Sequence, residues 1–291
     1  MNIAFRLRNK LTQWIFLKKT KESKNIMKIT STNSLVGAFV EDVDLSCPIG
    51  SDQTDELLSA WHKWGVLFFR NQNLNDEQQV AAASIFGDPV PYDFAPTTEG
   101  SHIVHKIDNE DGKPKGGSSN WHTDATWLKE PPRGSILQAI KLPRSGGDTL
   151  FASMSAAFDL LSPATQNFVD GLTALHHGGS KLNAANRIAK KIPEDAVSHP
   201  VVRIHPVTGK KCIFVNRLFT QAINELNAQE NEALLPMLCD LSLKPEIQFR
   251  FQWEEGDIAV WDNRSVQHYA PADYSEARVM HRVVLAGDPV E

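Results

Sequence analysis

From Trp121 onward the chain falls into short β-type segments separated by turn residues, and this rhythm limits the fold more than any other feature. Candidate strands lie at about 134–142, 148–152, 172–177, 201–205, 211–215, 246–252, 257–261 and 278–286. Helical periodicity interrupts them at about 153–170 and 228–240. Earlier, residues 28–46 alternate as strands and 52–64 reads as a helix with Leu57, Leu58 and Trp61 on one stripe. Residues 66–70 read as a buried strand, and Asn75-Asp76-Glu77 opens a second helix ending near Phe86-Gly87. Many short strands with scattered helices pack as an antiparallel sandwich or barrel with the helices outside. Residues 88–120, rich in Pro, Gly, Asp, Asn and Ser, form a long connection of the kind that often acts as a lid. No internal repeat or low-complexity linker divides the chain, so residues 27–291 are expected to form one domain.

Composition narrows the function. The 291 residues carry a net charge of −5, which gives no support for nucleic-acid binding. Cys47, Cys212 and Cys239 are odd in number and widely spaced, the pattern of reduced thiols in a cytoplasmic protein. No apolar run approaches the ~20 residues of a membrane span. The first 27 residues hold seven basic residues against one acid, Glu22. Residues 1–26 therefore read as a basic extension, disordered or produced by a misassigned start upstream of Met27. An amphipathic surface helix or a transit peptide is the rival reading.

Within this frame, Trp121-His122-Thr123-Asp124 stands out. On a strand, residues two apart share a face, so an imidazole and a carboxylate could converge. With a distant third ligand such as His268, they would make the two-histidine, one-carboxylate face of a non-haem Fe(II) oxygenase, which leaves open positions for cosubstrate and O2. His-x-Asp alone equally describes a surface pair. Further on, 277–285 reads as a strand with Arg278, Met280 and Arg282 on one face. Arginine's planar fork suits bidentate capture of an oxyanion, although a charged rim would look the same.

These segments resemble the taurine dioxygenase/TfdA family of Fe(II)- and 2-oxoglutarate-dependent dioxygenases. The likeness rests on Asn120-Trp121-His122-Thr123-Asp124, Gly146-Gly147-Asp148-Thr149, His205-Pro206-Val207-Thr208-Gly209, Trp261-Asp262-Asn263-Arg264, Gln267-His268-Tyr269-Ala270 and Met280-His281-Arg282. It runs from about Met27 to the C-terminus. It implies a double-stranded β-helix, a jelly-roll variant, with mobile segments at 88–120 and 180–195 near its mouth. It also implies His122, Asp124 and His268 as metal ligands, and Thr149 with Arg278 as anchor of the distal carboxylate of 2-oxoglutarate. The resemblance makes Arg282 the partner of an anionic substrate, and Phe219 and Trp127 walls of its pocket. The cofactors implied are Fe(II), 2-oxoglutarate and O2, and the assembly a homodimer or homotetramer. The other histidines, His176, His177, His199, His205 and His281, read as structural or surface residues.

Three departures fall on substrate contacts. Ser118 stands where the taurine pattern has Asn. The segment after Phe86-Gly87, which includes Tyr92, lacks a histidine. Gly178-Gly179 replaces an aromatic, a loss of bulk that could admit a larger molecule. The expected reaction is oxidation of a small anionic organic compound, a sulfonate, alkyl sulfate or carboxylate, with release of succinate and CO2. Its rivals are desaturation on the same scaffold, a non-catalytic metal-binding jelly roll and a zinc hydrolase. The cosubstrate anchor argues against the second, and the lack of an evident general base against the third.

Overall fold

The computed structural model describes residues 27–113, 119–178 and 195–290. The N-terminal extension, Ser118, Gly179 and residues 180–194 lie outside them.

The first half supplies one sheet and the helices that cover it. Strands β1 (Lys28–Ser31) and β2 (Ala38–Glu41) form a hairpin, and α1 (Ser51–Trp64) leads into β3 (Val66–Phe69), which runs parallel to β2. Helix α1 buries Leu57, Ala60 and Trp61 and stops at Gly65, whose left-handed backbone lets its N–H reach Trp61 O. Strand β3 is Val-Leu-Phe-Phe, buried along its whole length, as befits the interior of a covered sheet. Helix α2 (Asp76–Ala83) begins with a capping box between Asn75 and Gln78.

The long connection is more ordered than its composition suggests. It contains β4 (Pro89–Val90) and β5 (His105–Asn109), both of which pair with the last strand. Strands β6 (Pro132–Lys141) and β7 (Thr149–Ser153) follow. The helical stretch expected over 153–170 is two helices, α3 (Met154–Asp159) and α4 (Pro163–Val169). Ser162 caps α4 and Pro163 opens it, and a proline cannot continue the helix before it.

The remaining elements are β8 (Thr173–His176), β9 (Val197–Pro200), β10 (Val202–Ile204), β11 (Lys211–Ile213), β12 (Thr220–Ile223), α5 (Ala228–Cys239), β13 (Gln248–Phe251), β14 (Ile258–Asp262), β15 (Val266–Tyr269) and β16 (Arg278–Gly287). The main sheet has the order β1-β2-β3-β14-β6-β16-β4, with β5 also on β16. A three-stranded sheet, β13-β7-β15, faces it. Between them lie Phe68, Leu137, Phe151, Phe251, Trp261 and Met280, all buried in one cluster. Phe68 stacks on Phe251 at 4.2 Å and 14°, which joins the two sheets. This is the jelly-roll core that the strand rhythm and the resemblance led us to expect. Met27, where family-like sequence begins, is itself buried in the cluster under α1 and α2.

Candidate metal and cosubstrate site

His122 and His268 are brought together by the backbone. They form an isolated β-bridge, with His122 N donating to His268 O at 3.1 Å and His268 N to His122 O at 2.9 Å. Their rings lie 4.2 Å apart. His268 sits on β15, a strand of four residues that the sequence rhythm missed. Asp124 is not on a strand, contrary to the expectation for 122–124. The chain turns there, and Ala125 takes a left-handed backbone (φ 47°). The convergence therefore comes from a single bridge followed by a tight turn.

In that turn Asp124 is oriented by both of its oxygens. Oδ2 accepts from Ser135 Oγ at 3.3 Å and from Asn263 Nδ2 at 3.4 Å. Asn263 is held in turn by Trp261 Nε1 at 2.9 Å. Oδ1 points at His122 Nε2 (4.0 Å) and His268 Nε2 (3.8 Å). His122 Nδ1 bonds to Asn120 O at 2.7 Å, which leaves its Nε2 for the centre. These three buried residues can each offer one ligand atom, all within 4.8 Å of one another. Among the described residues they are the one such group of His, Cys, Asp or Glu.

The electrostatics suit a cation. Burial alone would raise the Asp124 carboxyl, but the Arg282 guanidinium beside it holds it well below the usual carboxylate range. Burial pushes His268 down to about 3 and lowers His122 as well. A carboxylate and two neutral imidazoles are the protonation states a metal requires of such ligands. Two nitrogens and one oxygen on one side, with no thiolate, fit Fe(II).

The matched Trp-Asp-Asn-Arg segment ends β14 at Asp262 and turns, and its side chains serve two places. Trp261 and Asn263 serve Asp124, while Asp262 and Arg264 turn to the other side. There Asp262 accepts from Arg264 Nε (2.8 Å) and from His205 Nε2 (3.0 Å). His205 Nδ1 accepts two backbone N–H groups, from Val207 and Thr208, so this histidine is structural. His176 and His199 are also buried structural histidines.

Thr149 opens β7 and is buried, accepting from Trp253 Nε1 at 3.0 Å. Arg278 opens β16, is also buried, and donates through Nε to Gly147 O at 3.0 Å. The two residues meet through the Gly146-Gly147 turn and not by a direct bond. Gly147 has φ 75°, and a Cβ there would lie 3.1 Å from Arg278 Cδ. The arginine thus packs against bare backbone. Arg278 also lines a cavity of about 420 Å³ with Tyr274, Asn109 and Lys106.

Arg282 shares the Arg278 face of β16 and lies near the metal cluster. Its Nη1 donates to Asp124 Oδ1 at 3.2 Å, and its guanidinium lies 4.9 Å from the Tyr92 ring. Its buried Nε has no partner among the described residues. Phe219 stands edge-on to His122 at 5.9 Å and to Trp127 at 4.4 Å. The space expected to open at Gly178 is taken by the Trp127 indole, since a Cβ on Gly178 would come within 2.9 Å of it. Ser118 lies outside the described residues. Sequence reasoning did not find Ser135, His105 or Phe94. Asn263 lies within a matched segment, in the turn that follows β14.

Comparison with known proteins agrees with this geometry. The family model for "Taurine catabolism dioxygenase TauD, TfdA family" matches residues 28–284. An alkylsulfatase of Acinetobacter baylyi is 32% identical, over 94% of this chain and 88% of its own. An alpha-ketoglutarate-dependent sulfate ester dioxygenase of Pseudomonas putida is 31% identical, over 87% of each. A crystal structure of a taurine dioxygenase from Burkholderia xenovorans superposes with a TM-score of 0.78 at 32% identity, covering 90% of this chain and 91% of that one. The likeness extends through the whole β core and every matched segment, and the chain belongs to the TauD/TfdA family of 2-oxoglutarate-dependent dioxygenases, which work with Fe(II), 2-oxoglutarate and O2.

Proposed function

We propose that this enzyme oxidises a small organic anion carrying a sulfate ester, sulfonate or carboxylate, and that Arg282 holds the anionic head. The observation that carries this reading is the part-buried Arg282 guanidinium beside Asp124, whose buried Nε has no partner among the described residues. A largely enclosed cation with a buried donor left unbonded favours an incoming oxyanion. One similar enzyme is named an alkylsulfatase and another a sulfate ester dioxygenase, which supports testing a sulfate ester head group first.

In this reading His122 Nε2, Asp124 Oδ1 and His268 Nε2 hold Fe(II). The bound metal with 2-oxoglutarate supplies activation of O2. Ser135 and Asn263 keep Asp124 Oδ1 turned toward the centre. Arg278 and Thr149 take the far carboxylate of 2-oxoglutarate, which needs a charge-assisted partner in a buried site. Arg282 fixes the substrate head, while Trp127, Phe219 and Tyr92 cover the rest and exclude water. The reading includes a cytoplasmic enzyme assembled from two or four copies. No helix among the described residues is long and apolar enough to cross a membrane.

The test is a screen for succinate release with Fe(II), 2-oxoglutarate and O2 against alkyl sulfates, alkyl sulfonates, taurine, aryloxyalkanoates and amino acids. Anionic compounds larger than taurine should stimulate succinate release most, and Arg282→Met should raise their KM while leaving that of 2-oxoglutarate nearly unchanged. A preference for cationic compounds would overturn the assignment, and efficient turnover at micromolar taurine would overturn the preference for larger anions.

A further inference from the structure

We propose that Tyr92, Phe94, Trp127 and Phe219 form a subsite for an aromatic substrate tail, and that Phe94 sets the preference for aryl over linear alkyl tails. The proposal rests on the reading of Arg282 as anchor of the head. The four rings make an unbroken row. Tyr92 meets Phe94 at 5.1 Å and 67°, Phe94 meets Trp127 at 5.7 Å and 81°, and Trp127 meets Phe219 at 4.4 Å and 63°. One end of the row lies over the Arg282 guanidinium and the other against His122. A molecule held at Arg282 with its reacting carbon near the cluster would have this row beside its remaining atoms.

The members of the row differ in freedom. Phe219 is buried, and Trp127 lies against the Gly178 backbone, so this part of the wall is fixed. Phe94 is 62% exposed, a large apolar ring whose burial is left for something else to complete. It also lines the 420 Å³ cavity that reaches Arg278, so it stands between the substrate row and the cosubstrate side. Its backbone is nevertheless held in place. His105, buried beneath the turn, accepts from Tyr92 N through Nε2 at 3.1 Å, and its Nδ1 donates to Ala95 O at 3.3 Å. The ring is therefore displayed by a clamped turn.

The angles between the rings favour an aryl guest. Rings steeply inclined to one another offer a face at one position and an edge at the next. A flat ring can complete such edge-to-face contacts and gain more than its buried area alone, whereas a linear chain gains only the area.

Binding of 2-phenylethyl sulfate and n-octyl sulfate tests this, since both carry eight carbons and the same head. Calorimetry on the anaerobic Fe(II)·2-oxoglutarate enzyme gives each affinity without turnover. The wild type should bind the aryl sulfate about tenfold more tightly, and both Phe94→Ala and Phe94→Leu should remove most of that preference. Retained binding of 2-oxoglutarate by each variant reports an intact fold. A preference that survives in Phe94→Ala, or that aliphatic bulk alone restores in Phe94→Leu, overturns the proposal. Equal wild-type affinities overturn it too and leave the Arg282 reading standing, provided that Arg282→Met abolishes both. If neither sulfate binds the wild type, the Arg282 reading fails and the tail subsite fails with it.

Discussion

Asp124 is asked to do two things with one oxygen. Oδ1 faces both imidazole Nε2 atoms and also accepts from Arg282 Nη1. A guanidinium beside a ligand oxygen stabilises the carboxylate before metal arrives and opposes the metal afterwards. Removing one partner of a buried pair leaves the other charge uncompensated, at a cost of ~3–5 kcal/mol. Arg282→Leu should therefore lower the melting temperature of the metal-free protein, and Mn(II) should raise it by more than it raises the wild type. An equal Mn(II)-induced rise in both proteins would show that Arg282 and the metal do not compete for Asp124. His122→Ala should behave in the opposite way. Its metal-free stability should stay near that of the wild type, and the Mn(II)-induced rise should disappear. At the other end of the site, the proposed role of Arg278 predicts that Arg278→Ala leaves the far carboxylate of 2-oxoglutarate without a cation. Its KM should rise on the order of 100-fold or more, with Mn(II) affinity unchanged. An unchanged KM would place the cosubstrate elsewhere.

At the level of elements, β16 and the Gly146-Gly147 turn do most to shape the site. The strand places Arg278 opposite Asn109 and Arg282 opposite His105 on β5, and strand alternation keeps both arginines on one face. That face was legible in the sequence, because period two is a local property. So were the β rhythm, the matched segments and the three convergent residues. What was not legible depends on distant partners. The pairing of Arg282 with Asp124 spans 158 residues and leaves no local pattern. Strand β15 is Val-Gln-His-Tyr, too short for any periodicity to show. Gly178 read as lost bulk, because nothing in the sequence says that Trp127 fills the space. Phe94 belongs to no motif and was passed over. The turn carries its own test. Gly147→Ala forces a side chain into a left-handed backbone, at a cost of about 1–2 kcal/mol, and presses a Cβ on Arg278, 3.1 Å away. It should raise the KM for 2-oxoglutarate while leaving Mn(II) binding intact. A variant that loses stability but keeps the wild-type KM would show that the turn does not position Arg278.

For the molecule as a whole, a jelly roll lined with buried histidines should be sensitive to mild acid. Burial pushes His176 and His268 down to about 3, and it lowers His62, His105, His199 and His281 as well. His176 is enclosed near Thr126, with Nδ1 2.9 Å from its hydroxyl and Nε2 without a partner among the described residues. Above pH ~6.5 such a histidine is neutral in the folded and unfolded chains alike and contributes nothing to pH dependence. Below it the unfolded chain takes up a proton that the folded chain refuses. Stability therefore falls as pH drops from ~6.5 toward 3, by on the order of 1.4 kcal/mol per pH unit for each fully buried histidine. Asp124 and Asp262, both held below the usual carboxylate range, act at lower pH. Their stabilisation is present above ~3.8 and is lost only as pH falls below it. The histidines should therefore set the onset of acid unfolding, near pH ~6 and well above the carboxylate range. Urea midpoints between about pH 7.5 and 4.5 should fall steadily below pH ~6.5 in the wild type. His176→Gln keeps a hydrogen-bonding group of similar size but cannot take a proton, so its slope should be shallower by about one histidine's share. An identical slope in that variant would assign the acid sensitivity to the remaining histidines and clear His176.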